Sequence, residues 1–254
     1  MPPPSRSDRK PVRSPDAGGQ LLIHVAPELA LFLRPGQRHG AVRVACDGVS
    51  SVGHVVESLG VPLTEVGALA LNGEPVAAGH RPVGGDVVHV TSVPRPQRLD
   101  DPRFLLDVHL GTLARRLRLV GVDAAYDRDC DDDELIEQAN ASRRVLLTQD
   151  RGLLRRHSLW LGAYVRGARP DDQFADVLGR FAPLLAPWTR CTTCNGMLAP
   201  ARKADVSAEL EPGTRRSYES FSRCLSCGRV YWRGAHGQRL QATIDAAVRI
   251  VASA

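Results

Sequence analysis

The chain has 254 residues, of which 33 are Lys or Arg and 28 are Asp or Glu, so its formal net charge is +5. With 43% hydrophobic and 24% charged residues, it has the composition of a folded globular protein rather than a disordered or fibrous one. No apolar run approaches the roughly 18 residues that a membrane-spanning helix needs, and the first residues lack the apolar core of a secretion signal. We therefore expect a cytoplasmic protein with no membrane partner.

Changes in composition divide the chain into segments. The first 19 residues hold five prolines and show no apolar periodicity, which predicts a disordered tail. The polar, proline-containing stretch at 94–101 separates two longer blocks, and a further break follows Phe181. The predicted organisation is a disordered tail at 1–19, a β-rich domain at 20–93, an α/β domain at 102–182, a cysteine-containing domain at 188–235 and a C-terminal helix or tail at 236–254.

The block at 20–93 contains signals for two strands, a helix and two further strands, with an Asn72-Gly73 turn between the last two. Its residues LGVPLTEVGALALNGEPV (59–76) and GDVVHV (85–90) resemble the β-grasp fold of ubiquitin and the small sulfur carriers. Sulfur carriers end in a free Gly-Gly, whereas this chain continues through Pro94. Sulfur transfer is therefore a weak third alternative, and we expect a binding module with a protein or the ribosome as its partner.

The block at 102–182 alternates strands with helices. Three apolar runs, RFLLDV, VDAAY and RVLLTQD, predict strands, and the leucines between the first two recur at helical spacing up to Gly121. Such alternation predicts an α/β fold, with a parallel sheet covered by helices.

Acidic residues follow each of these three predicted strands. Asp107 and Asp150 directly end a strand, and Asp131–Asp133 open the helix after the second strand, with Asp131 and Glu134 at capping-box spacing. Because the carboxyl ends of parallel strands meet at one edge, these carboxylates should share a cleft. Crowded carboxylates repel one another unless a cation neutralises them, and oxygen ligands suit Mg²⁺ or Mn²⁺.

The segments FLLDVHLGTLARRLRLVGVDAAYD (104–127) and DDDELIEQANASRRVLLTQDRGLLRR (131–156), together with the paired cysteines, resemble the Mut-seven C-terminal ribonuclease family, a branch of the PIN-domain nucleases. The β-grasp block is similar to the ubiquitin-like domain fused to bacterial members. The resemblance implies a PIN-like fold and divalent-metal-dependent endonucleolytic cleavage of single-stranded RNA. Its catalytic, Mg²⁺- or Mn²⁺-binding acids correspond to Asp107, to Asp133 (or Asp132 if the register differs by one) and to Asp150.

Many PIN nucleases have a fourth acid, for which this sequence offers Asp129, Asp171 and Asp172 without a motif to choose among them. Basic residues also surround the predicted strand ends. Arg115, Arg116 and Arg118 lie off the apolar stripe of the first helix of the α/β block, and Arg151 follows Asp150. We expect these four arginines to bind the RNA phosphate backbone.

Four of the six cysteines form two Cys-x2-Cys pairs, CTTC (191–194) and CLSC (224–227). With no secretion signal, a metal site is favoured over disulfides, and Cys191, Cys194, Cys224 and Cys227 are predicted to hold a structural Zn²⁺ tetrahedrally in a zinc ribbon. The middle of the segment between the pairs, ADVSAELEPGTRRSYES (204–220), is predicted to be an extended loop or hairpin.

The leading hypothesis is a metal-dependent endoribonuclease that cleaves single-stranded RNA. The alternative is a non-catalytic RNA- or ribosome-binding adaptor with a degenerate PIN fold, which the unplaced fourth acid favours.

Overall fold

The computed structural model of the protein describes residues 19–234 and 237–254, so that all but the last residue of the predicted N-terminal tail lies outside the described residues. The chain forms two compact units. Of the described residues, the first unit comprises 19–61 and Val66–Ser92, and the second comprises Pro62–Glu65, 93–234 and 237–254. Within the described ranges, no helix is both long and apolar enough to cross a membrane.

The first unit is a mixed five-stranded sheet with one helix. Its elements are β1 (Gln20–Val25), β2 (Val42–Ala45), α1 (Val52–Ser58), β3 (Val66–Leu71), β4 (Glu74–Val76) and β5 (Val87–Ser92). The strand order is β2-β1-β5-β3-β4, in which β1 and β5 are parallel and the other neighbours are antiparallel. The predicted β-rich, ubiquitin-like region is confirmed.

The packing of this unit follows the alternation of its strands. Ile23 of β1 and Val88 of β5 are fully buried, as is Val56 of α1, whereas His24 and His89 point to the exposed side of the sheet and stack on each other. Period-two burial on a sheet that is covered on one face produces this pattern. Ser51 caps α1 by accepting a hydrogen bond from the backbone N–H of His54, at 3.2 Å.

The second unit is built on a four-stranded, fully parallel sheet. Its elements are β6 (Phe104–Leu106), α2 (Gly111–Leu119), β7 (Ala124–Tyr126), α3 (Asp132–Ser142), β8 (Val145–Thr148), β9 (Gly162–Tyr164) and α4 (Pro170–Phe181). The strand order is β7-β6-β8-β9. The predicted parallel sheet is confirmed, and its order places the end of β6 between the ends of β7 and β8.

Side chains of alternate residues bury the two faces of this sheet. Leu106 and Leu147 face the larger core, which α2, α4 and α7 (Gly237–Ala252) cover. Leu105 and Leu146 face the other side, which α3 covers. Because both faces are buried, the strands are continuous apolar runs rather than alternating ones, as expected for a parallel sheet.

Gly121 ends α2 as predicted. Its φ is +85°, and a Cβ at this position would lie 1.9 Å from the carbonyl oxygen of Ala186. Only glycine combines the left-handed conformation with this close approach of the backbone. The chain can therefore turn from α2 directly into β7.

The cysteine-containing region forms a small antiparallel sheet. Its elements are β10 (Leu198–Ala201), α5 (Lys203–Val206), α6 (Pro212–Ser217), β11 (Phe221–Cys224) and β12 (Val230–Trp232), with strand order β10-β11-β12. The prediction of an extended loop or hairpin between the cysteine pairs is wrong, because the segment contains two short helices. Val206 and Leu210 are buried against Phe221, and this small apolar core explains the helical packing.

Candidate active site and metal centre

Three aspartates line one open cleft at the carboxyl edge of the parallel sheet. Asp107 follows β6, Asp150 follows β8, and Asp132 is the first residue of α3, which follows β7. The cleft has a volume of about 580 Å³. Its lining residues are Asp107, Val108, His109, Asp132, Gln149, Asp150 and Arg151. The structure thus brings together the acids that follow three different strands.

A buried threonine links two of these acids. The Thr148 hydroxyl donates to Oδ2 of Asp107 at 2.5 Å and accepts from the backbone N–H of Asp150 at 2.8 Å. Thr148 is fully buried, and Asp107 is only 7% exposed. The Asp150 carboxylate is exposed and caps the following turn by accepting from the backbone N–H of Gly152 at 2.5 Å. Thr148 therefore fixes the Asp107 carboxylate and the Asp150 backbone, and the Gly152 N–H fixes the Asp150 carboxylate.

The three consecutive aspartates before α3 have different environments. Asp131 is the N-cap and forms the predicted capping box. Its Oδ1 accepts from the Glu134 N–H at 2.9 Å, and the Glu134 carboxylate accepts from the Asp131 N–H at 3.2 Å. Asp133 forms an ion pair with Arg156. Asp132 is the member of the set that lines the cleft. Of the two registers left open by the sequence, the structure favours Asp132 as the third acid of the cleft.

The cleft carboxylates lack basic partners. Across residues 19–234 and 237–254, no ion pair joins Lys, Arg or His to Asp107, Asp132 or Asp150. Their oxygens are nevertheless less closely grouped than the cysteine sulfurs, which in the described chain form the one cluster of three or more potential metal ligands. Mg²⁺ commonly binds through one or two carboxylates and keeps several waters, so an open acidic cleft suits it. The donor set fits a hard divalent cation.

The candidates for a fourth acid lie elsewhere. Asp171 pairs with Arg116 at 2.5 Å, and Asp172 pairs with Arg169 at 3.0 Å. Asp129 lines a different groove, beside the first cysteine pair. None of the three is among the described residues that line the cleft.

The four arginines predicted to bind RNA fall into different settings. Arg115 is exposed, Arg116 is partly exposed in its ion pair, and Arg151 lines the cleft with its guanidinium 6.0 Å from the ring centre of Tyr164. The structure contradicts the prediction that Arg118 contacts RNA from an exposed helix face, because this residue is only 3% exposed. Its guanidinium donates to backbone carbonyls, and burial lowers its pKa. Arg118 therefore supports the fold and is not a surface contact for RNA.

Two residues of the site carried no role in the sequence interpretation. His109 lines the cleft two residues after Asp107, but an isolated histidine has no ligand spacing to mark it. Thr148 lies two residues before Asp150, and its hydroxyl links the Asp107 carboxylate to the Asp150 backbone. A threonine among the apolar residues of a buried strand was the available signal, since a buried hydroxyl needs a hydrogen-bond partner.

The four predicted zinc ligands come together. The sulfurs of Cys191, Cys194, Cys224 and Cys227 all lie within 4.8 Å of one another. The Cys191–Cys227 and Cys194–Cys224 sulfur distances are 3.7 and 3.4 Å. Tetrahedral Zn²⁺ with Zn–S bonds near 2.3 Å places sulfurs about 3.8 Å apart, so the four cysteines could bind a metal such as zinc.

The protonation of these thiols also fits a cation. Burial raises the pKa of Cys191, but hydrogen bonds from the Tyr231 hydroxyl and from backbone N–H groups lower it to about 6. Burial and the neighbouring sulfurs raise the pKa of Cys194 to about 12. Four thiolates cannot share this space without a positive charge at their centre, and a bound metal supplies that charge.

The first cysteine pair is fixed to the parallel-sheet layer by polar contacts. Arg118 of α2 donates from Nη1 to the carbonyl of Thr193 at 2.8 Å and from Nε to that of Ala124 at 2.7 Å. Asp123, just before β7, accepts from the Asn195 side chain at 2.7 Å. These contacts attach the cysteine module beside the last turn of α2 and the amino end of β7.

Comparison with known families agrees with this architecture. The model of the Mut7-C RNAse domain matches residues 102–244, more than half of the chain, and the model of the Mut7-C ubiquitin domain matches residues 20–99. No curated protein matches the chain. No solved structure matches it. The chain belongs to the Mut7-C RNAse domain family and carries the Mut7-C ubiquitin domain at its N-terminal side.

Proposed function

We propose that this protein is a metal-dependent endoribonuclease that cleaves single-stranded RNA at the carboxylate cleft. The observation that carries the proposal is the meeting of Asp107, Asp132 and Asp150 in one open cleft, where the described part of the chain forms no ion pair with them. The family membership supports ribonuclease chemistry, and the carboxylates support a divalent cation. PIN-like topology and cytoplasmic location remain predictions from the sequence.

Each residue has a distinct role in this proposal. Asp107 presents a carboxylate that Thr148 holds, Asp150 presents one that the Gly152 N–H holds, and Asp132 adds a third from the start of α3. A bound Mg²⁺ or Mn²⁺ supplies an activated water and stabilises the leaving oxygen of the phosphodiester. Arg151, at the rim of the cleft, carries positive charge toward the phosphate.

The test is charge removal in the cleft. Asp107→Asn and Asp150→Asn should lower cleavage of single-stranded RNA with Mn²⁺ or Mg²⁺ by orders of magnitude. Stability should hold, because one charge of a repulsive set is lost and the amide oxygen still accepts from Thr148 at position 107 and from the Gly152 N–H at position 150. Glu137→Gln, on the exposed face of α3 outside the cleft, is the matched control. Full activity in Asp107→Asn would exclude this cleft as the active site.

The same experiment settles the register of the third acid. Asp132→Asn should inactivate the protein, whereas Asp133→Asn should lose only the exposed ion pair with Arg156, which is worth about 1 kcal/mol or less. The opposite result would restore Asp133 as the catalytic acid.

We also propose that the cysteine cluster holds one structural Zn²⁺. Elemental analysis of protein purified without chelators should show one zinc per chain. Cys191→Ser and Cys227→Ser should lose it and loosen β10–β12, while leaving the parallel sheet intact by circular dichroism. Purified protein without zinc or another bound metal would overturn the proposal.

A second candidate is a non-catalytic RNA- or ribosome-binding adaptor. The spread of the cleft carboxylates and the lack of a fourth acid among the described lining residues favour it. Wild-type protein that binds RNA but does not cut it with any divalent cation would establish this alternative. In either case the ubiquitin-like unit is proposed as a module for a protein or ribosome partner.

A further inference from the structure

A polar groove of about 670 Å³ lies beside the first cysteine pair, within the second unit. We call it the knuckle groove. Its walls come from α2, from the last residue of β7 and the segment after it, from the first cysteine pair and from Arg229, which follows the second pair. Its lining residues are Gly111, Arg115, Arg118, Tyr126, Asp127, Arg128, Asp129, Thr192, Thr193 and Arg229.

The charges of the groove are mainly positive and accessible. Arg115, Arg128 and Arg229 are exposed and come from three separate segments of the chain. Arg118 forms part of the floor, where its guanidinium holds the backbone of Thr192 and Thr193. Arginines that converge from different segments form a surface that suits phosphate groups.

The knuckle groove and the carboxylate cleft share a wall. The Tyr126 hydroxyl, from the groove, donates to the carbonyl of Val108, which lines the cleft, at 2.9 Å. Gly111 leaves room for this tyrosine, since a Cβ there would lie 2.9 Å from the hydroxyl oxygen. A strand that leaves the cleft past Val108 therefore enters the groove.

We propose that the knuckle groove binds the phosphodiester backbone of single-stranded RNA next to the cleaved bond, so that the cysteine module forms part of the substrate site. The inference rests on the proposed ribonuclease function. It gives the cysteine module a direct contact with substrate through Arg229, two residues after Cys227. Arg128 faces the same strand from the segment after β7.

Two aspartates in the groove predict that one substitution should strengthen RNA binding rather than weaken it. Asp127 and Asp129 are exposed beside the arginines, and the Asp127 carboxylate accepts from the backbone N–H of Asp129 at 3.1 Å. A carboxylate beside a bound phosphate weakens binding by repulsion. Removing the charge of Asp129 should therefore tighten RNA binding without abolishing cleavage, whereas removing a catalytic acid should abolish cleavage.

Binding is measured on the full chain by fluorescence anisotropy of labelled single-stranded RNA, without added divalent cation, over a range of salt concentrations. Arg128→Ala and Arg229→Ala should each lower the slope of log K against log salt by about 0.7, which is about fivefold weaker binding at 0.1 M salt. Asp129→Asn should bind about two- to fivefold more tightly. Arg215→Ala removes an exposed arginine of α6 outside the groove and is the matched control.

Kinetics provide the second readout. With long RNA and Mn²⁺, Arg229→Ala should raise KM and leave kcat unchanged, and Arg229→Lys should restore most of the affinity. Zinc content and circular dichroism confirm that each variant is folded.

Unchanged salt slopes in both arginine variants would overturn the inference. Weaker binding or lost cleavage in Asp129→Asn would also overturn it, because Asp129 would then belong to the catalytic acids. If neither wild type nor variants cut RNA but the binding differences remain, the groove stands and the ribonuclease proposal fails.

Discussion

Thr148 offers the most direct test of how the cleft is organised. Its hydroxyl is fully buried, donates to Asp107 at 2.5 Å and accepts from the N–H of Asp150 at 2.8 Å. Thr148→Val keeps the shape of the side chain but removes both bonds. Thr148→Ser keeps the hydroxyl and removes only a methyl group, so it is the matched control.

The expected loss of stability follows from these contacts. In Thr148→Val, the 7% exposed carboxylate of Asp107 loses its threonine donor, and the Asp150 N–H loses its acceptor. A buried polar group left without its partner costs about 1–3 kcal/mol. We expect the free energy of unfolding, from urea titration, to fall by that amount in Thr148→Val. Thr148→Ser should lose less, roughly the transfer free energy of one methyl group, about 1 kcal/mol.

Catalysis gives an independent readout of the same contact. The Asp107 carboxylate would lose its donor and the Asp150 backbone its acceptor, and small displacements of catalytic groups cost up to about 100-fold in rate. We expect a lower kcat and a weaker dependence on Mn²⁺ in Thr148→Val, with recovery in Thr148→Ser. If the valine variant is as stable and as active as wild type, Thr148 does not position these acids.

Two further predictions address the remainder of the fold. The Asp123 carboxylate accepts hydrogen bonds from Arg144 and Asn195. Burial raises its pKa, but these bonds and the nearby arginines lower it below its ordinary value. The stabilisation is therefore complete above the unfolded pKa near 3.9 and is lost as the pH falls through the lower folded pKa. Asp123→Asn should therefore lower the free energy of unfolding by about 1–3 kcal/mol at neutral pH. It should also make the loss of stability below about pH 4 less steep, as followed by circular dichroism. An unchanged pH dependence of unfolding in this range would argue against this role. Residues 20–93 produced alone should fold cooperatively, because β1, β5 and α1 bury a core of their own; a disordered NMR spectrum would refute the predicted boundary.

Much of the second unit was predictable because its signals are local. Continuous apolar strands, a leucine stripe ending at Gly121 and the Asp131–Glu134 capping box each act within a few residues, and all appear in the structure. The cysteine cluster was equally clear, because ligand type and spacing restrict its geometry. These features need no knowledge of how distant segments pack.

Other parts depended on tertiary packing and were missed. The segment between the cysteine pairs is polar and contains Pro212-Gly213, which resembles a turn, yet Val206 and Leu210 bury against Phe221 and make it helical. Arg118 is two residues after Arg116 in the sequence, but it points to the first cysteine pair and is buried there. Helical periodicity shows which residues leave the apolar stripe; it does not show which of them a neighbouring module covers.

The position of Asp129 shows why a count of acids near a strand end does not define a nuclease site. Asp129 and Asp132 both follow β7, three residues apart, but the first lines the knuckle groove and the second lines the cleft. The wall between them is Tyr126, held to Val108. A carboxylate on the groove side faces arginines and the path of the phosphate backbone, where its charge opposes binding. A carboxylate on the cleft side faces other carboxylates, where only a cation stabilises it. Neutralising either carboxylate removes a negative charge near the phosphate, so loss of cleavage, and not the sign of the change in binding, identifies a carboxylate on the cleft side of Tyr126.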